Sequence, residues 1–158
     1  MRRRALAIVP LLSTVMLNTG PDNYFSCTMF PGPQGTQLQI VFVVHYAPVG
    51  NAGGAQQVVL VISDQQAYPC TNYQLESGTS VLGQDVLVTL SGRVIKPDVC
   101  LAATGPAQYS TALPIGNGTY ALEFARGGVV DRYRLTVTAN AISITTIESD
   151  FTHPAAGS

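Results

Sequence analysis

The clearest alternation of apolar and polar positions lies in the C-terminal third of the chain. Two alternating runs flank Gly127-Gly128, and a glycine pair between such runs signals a two-residue hairpin turn. Taking those glycines as the turn sets Glu123 opposite Arg132, Leu122 opposite Tyr133 and Tyr120 opposite Leu135. One face then carries Tyr120, Leu122, Phe124, Tyr133, Leu135 and Val137. The other carries Ala121, Glu123, Arg132 and Arg134. A second turn at Ala139-Asn140 pairs Val137 with Ile142 and Leu135 with Ile144. The same face stays apolar across three strands, and a one-residue slip in either turn would destroy that agreement. Asp131 is the exception, because it falls on the apolar face near the hairpin end.

Upstream, residues 37–46 alternate Leu38, Ile40, Phe42, Val44 and Tyr46 against Gln37, Gln39, Val41, Val43 and His45, which predicts a central strand. Residues 48–55 read as a flexible loop, and 56–63 as a second apolar strand. A more polar strand over 67–75 contains Pro69 and suits an edge. Strands over 86–90 and 93–102 join near Ser91-Gly92, with a break or edge at Pro97. The count is about eight strands at short spacing, with no helix after the first segment. That pattern predicts an all-β fold, an antiparallel β-sandwich over 37–150. Residues 21–36, with Pro31-Gly32-Pro33, read as an irregular linker. Residues 151–158 read as a flexible tail.

Residues 1–20 have the layout of a secretory signal. A basic run, Arg2 to Arg4, precedes a 13-residue apolar stretch, which gives way to Asn18, Thr19, Gly20 and Pro21. A spanning helix needs about 20 residues. The segment is therefore expected to export the chain to a periplasmic or cell-surface location. If uncleaved, it would be the protein's membrane contact.

Charge changes the picture next. Only 11% of residues are charged, against roughly 25% in ordinary globular proteins, so Thr, Ser, Gln and Asn must supply the polar surface. Without Arg2 to Arg4, five basic residues face nine acidic ones, a net charge of −4. An acidic body with scattered arginines is a poor footprint for nucleic acid. The three cysteines, Cys27, Cys70 and Cys100, fit no zinc or redox spacing. In an oxidising compartment two would pair. Cys70 and Cys100 lie in strand-like segments and are the first choice, with Cys27–Cys70 and Cys27–Cys100 left open.

Leu113-Pro114-Ile115-Gly116-Asn117-Gly118-Thr119-Tyr120-Ala121-Leu122 resembles the Leu-Pro-x-Gly-x-Tyr-x-Leu pattern of prealbumin-like and immunoglobulin-like domains in bacterial exported proteins. Two residues are inserted here before Gly118-Thr119-Tyr120, and the likeness rests on these ten of the chain's 158 residues. The resemblance implies a β-sandwich of structural or binding type and carries no catalytic residue.

No nucleophile elbow, calcium loop or phosphate-cradling glycine loop occurs in the sequence. His45 and His153 are the two histidines, and the carboxylates are dispersed. Neither enzymatic activity nor a cofactor or metal is expected. Asn117-Gly118-Thr119 fits an N-glycosylation acceptor but reads first as a turn opening the Tyr120 strand. Tyr24, Phe25, Phe30, Tyr68, Tyr73 and Tyr109 have no place in the inferred core. They are the candidates for contact with an unidentified protein partner. The leading expectation is a non-enzymatic exported module that docks on another protein, as an accessory subunit of an envelope complex. The alternative is a carbohydrate- or small-ligand-binding β-sandwich, which requires several of these tyrosines on one concave face.

Overall fold

In the computed structural model, which describes residues 39–49 and 56–156, every regular element is a β-strand. The residues expected to form a signal or anchor segment (1–20) and a linker (21–36), among them Cys27, Tyr24, Phe25 and Phe30, lie outside the described residues. The strands are β1 (Ile40–Pro48), β2 (Gln56–Asp64), β3 (Gln74–Leu82), β4 (Asp85–Ile95), β5 (Gln108–Leu113), β6 (Gly118–Arg126), β7 (Val129–Val137), β8 (Ile142–Glu148) and β9 (Thr152–Pro154). They form one sheet in the order β8-β7-β6-β4-β3-β5-β2-β1-β9.

The predicted register of the last three long strands is found: Leu122 pairs with Tyr133, Glu123 with Arg132, Leu135 with Ile144 and Val137 with Ile142. Gly127 and Gly128 make the β6–β7 turn with φ of 56° and 91°, a left-handed pair that suits glycine. Both charged partners of Arg132 sit on the outer face, Glu123 at 3.3 Å and Glu148 at 2.8 Å.

Four expectations are corrected. The sheet is mixed rather than purely antiparallel, because β4 runs parallel to β6 and β9 parallel to β1. Between β4 and β6 the chain crosses to build β5 against β2 and then returns, so β6 starts from the same end as β4. Ser91-Gly92 does not separate two strands. It forms a bulge within β4, opposite Glu76, where Gly92 takes φ of 77° and the Ser91 hydroxyl donates to the Glu76 carbonyl. The segments 67–75 and 93–102 are mostly irregular. In the first, Tyr68 makes an isolated bridge to Gly105 and regular pairing starts at Gln74. In the second, pairing ends at Ile95, before Pro97. Finally, 151–158 is not simply a loose tail. Phe151 is buried, and Thr152–Pro154 pairs with Ile40, Val41 and Phe42.

Inward-facing residues of both halves of the sheet share one core. Phe42 of β1 meets Phe124 of β6 at 4.6 Å and Tyr133 of β7 at 4.8 Å between ring centroids. Strands far apart in the sheet order thus touch, and the sheet curls until it is nearly closed. Asp131 of β7 holds the seam. Its carboxylate, fully buried, accepts hydrogen bonds from the backbone amides of Asp150, Phe151 and Thr152 and from the Thr152 hydroxyl, at 2.6–3.0 Å. Tyr133 adds a bond to the Thr152 carbonyl at 2.7 Å, and the Tyr46 hydroxyl donates to the Thr138 carbonyl. Arg126 lies over the Phe151 ring, 4.5 Å from its centroid.

Candidate functional site

The sheet is narrowest between β3 and β5, which share one residue pair, Gln74 with Gln108. Beyond that pair β3 follows β4 and β5 follows β2, so the two strands diverge and leave a fork. Inward positions at the fork are polar or half-buried: Ser77 and Thr79 on β3, Tyr109 and Thr111 on β5. The Tyr109 hydroxyl spans the opening to Thr79 Oγ1 at 3.2 Å.

A groove of about 450 Å³ lies here, lined by Thr71, Asn72, Tyr73, Gln74, Leu75, Gln108, Tyr109 and Ser110. Its floor is braced from below. Asp64, buried at the end of β2, accepts from the Ala107 amide at 3.0 Å and from the Tyr68 hydroxyl at 2.7 Å. Burial, followed by the bond to Asp64 and that residue's charge, pushes the Tyr68 hydroxyl up to about 12. Tyr68 stacks on Tyr73, with centroids 4.7 Å apart, and the Tyr73 carbonyl accepts from the Gln108 amide at 3.0 Å. The chain from Asp64 through Tyr68 and Tyr73 to Gln108 fixes both lips of the fork.

One side of this region is the irregular segment between β4 and β5. Cys70 and Cys100 form a disulfide with Cα atoms 5.3 Å apart. Beside it, the Asn72 side chain donates to the Val99 carbonyl at 2.7 Å and accepts from the Leu101 amide at 3.2 Å. A covalent bond and two hydrogen bonds thus pin residues 99–101. Yet Val99 is 73% exposed, Leu101 57% and Ile95, which pairs with Gln74, 47%. Three large apolar side chains stand in solvent here, two of them on a backbone tethered by the disulfide and by Asn72.

Of the sequence-predicted contact residues, Tyr68, Tyr73 and Tyr109 are brought together at the fork, but half-buried and packed against the hydrophobic core rather than outside it. The pairing of Cys70 with Cys100 is the one formed. Asp64, Asn72, Gln74 and Gln108 were not foreseen. Their role depends on two segments more than 30 residues apart in sequence meeting at one bridge, and no local pattern announces that. His45 is exposed on β1, and His153 Nε2 lies 3.2 Å from the Gln65 amide nitrogen. Among the described residues, no group of three or more His, Cys, Asp and Glu is placed to hold a metal ion.

Searches of protein-family models, curated proteins and solved structures find no match to this chain.

Proposed function

We propose that the chain is an exported, non-enzymatic β-sandwich module that docks on another protein, as an accessory subunit of an envelope complex, through its disulfide-pinned end. The observation that carries this reading is the exposure of Ile95, Val99 and Leu101 beside a backbone held by Cys70–Cys100 and Asn72. Exposed apolar side chains gain nothing from the fold. Holding them still lowers the ordering cost of binding, which is how a preformed contact gains affinity. A disulfide is also weakly compatible with export, since such bonds persist in oxidising compartments.

The sandwich reading has two supports. One leaf would be β8-β7-β6-β4-β3 and the other β5-β2-β1-β9, joined at the Gln74–Gln108 pair. At the β5–β6 corner, the Tyr120 hydroxyl donates to the Gly116 carbonyl at 3.1 Å. A tyrosine reaching back a few residues at such a corner is a feature of immunoglobulin-like sandwiches.

The test is the double variant Val99→Ser with Leu101→Ser, both exposed and outside the core. Purified from the envelope of its own cells, the wild-type chain is expected to elute within a larger complex and the variant as a free monomer. Equal elution of both as monomers would end the docking reading.

A further inference from the structure

We propose that the groove at the β3–β5 fork binds a neutral oligosaccharide. This goes beyond protein docking, because it assigns a second surface and a different class of ligand. The volume, about 450 Å³, falls within the 300–1,000 Å³ typical of ligand sites.

The lining selects the chemistry. No charged side chain lies among the described residues of the groove. Three other clefts on the described surface each carry charge: Asp85 and Arg134 in one, Arg126 and Asp150 in another, Glu76 in the third. A charged ligand would find no counter-charge at the fork and would lose hydration. A purely apolar ligand would leave amides and hydroxyls unpaired. A neutral sugar ring suits both parts of the wall. Its C–H face can lie on the Tyr73 ring, and its hydroxyls, which donate and accept, can meet side-chain amides that also do both.

Gln74 and Gln108 are the residues that would read it. They stand opposite each other at the β3–β5 bridge with both backbones fixed, and both are exposed. Neither side-chain amide has a hydrogen-bond partner among the described residues. Asn72, by contrast, spends its amide on Val99 and Leu101 and serves as a wall. The aromatic rings are oriented in advance, Tyr73 by its stack on Tyr68 and Tyr109 by its bond to Thr79. Thr71 and Ser110 add hydroxyls at the rim.

The chain has no tryptophan, so its intrinsic fluorescence reports tyrosine alone. The test titrates the full chain with cellohexaose, maltohexaose, xylohexaose and chitohexaose, and with hexagalacturonate as the charged comparison. At least one neutral hexamer is expected to give a saturable fluorescence change, and hexagalacturonate none. Gln74→Ala with Gln108→Ala, both surface changes, should weaken that binding roughly tenfold or more. Val99→Ser with Leu101→Ser should leave it unchanged. The proposal is overturned if no neutral hexamer binds, if hexagalacturonate binds as well as the neutral probes, or if the glutamine variant binds like the wild type.

Discussion

Asp131 shows how one residue can contradict its local pattern and still fit the fold. It sits on the apolar face of β7, in a run whose other inward positions are Tyr133, Leu135 and Val137. Burial alone would raise its carboxyl. The Thr152 hydroxyl and the amides of Asp150, Thr152 and Phe151 outweigh that effect and hold it below its ordinary value. The folded state therefore favours the charged form. Asp131→Asn is expected to cost about 3 kcal/mol near neutral pH, because an amide NH₂ would face donors that a carboxylate now accepts. A group with a lowered folded value contributes stability above its ordinary value and loses it as pH falls through the folded one. Urea denaturation across pH should thus show a constant wild-type advantage above about pH 4 that narrows below it. Tyr68 gives the opposite sign. With its hydroxyl pushed up from 10.0 to about 12, its contribution holds below pH 10.0 and is lost as pH rises towards 12. In alkaline unfolding, the stability lost between those values should be smaller in Tyr68→Phe than in the wild type.

At the scale of elements, legibility followed burial. The β6–β7–β8 meander could be read residue by residue because its inner face is apolar and its turns are short, so only one register buries Leu122, Tyr133 and Leu135 together. β3 could not be read this way, since Glu76 to Ser80 is polar or glycine throughout. Ser77 and Thr79 are the inward positions of this run, at the open fork, where they stay half-buried and need no apolar side chain. β5 was missed for the same reason at Tyr109 and Thr111. β9 was missed because three residues, Thr152, His153 and Pro154, carry no periodicity, and their partner β1 lies over a hundred residues away in sequence. The structure makes that short strand part of the closure. A chain ending at Ser149 loses Phe151, β9 and the amide donors to Asp131 together. It is expected to lose cooperative unfolding altogether, seen as a broad, shallow melt by circular dichroism.

For the whole molecule, the disulfide couples stability to the candidate sites. Cys70 and Cys100 are 30 residues apart, and closing a loop of that length contributes about 3–4 kcal/mol through the unfolded chain. Cys70→Ser with Cys100→Ser should lower the denaturation free energy by about that amount. The inner aromatic cluster of Phe42, Phe124 and Tyr133 lies in the core between distant strands, so near-ultraviolet dichroism from it should persist in the folded variant. Loss should fall on the segment between β4 and β5, whose remaining anchors are Asn72, the Tyr68–Gly105 bridge and the bonds between Ala107 and Asp64. Partner docking should weaken with it, because Val99 and Leu101 would be held by Asn72 alone. The most direct measurement is site-specific photo-crosslinking in the cells that make the protein, with the reactive group placed at Val99 or, for comparison, at Ser143 on β8. Docking through the pinned end predicts one discrete adduct from Val99 and none from Ser143. No adduct from Val99, or the same products from both positions, would contradict it.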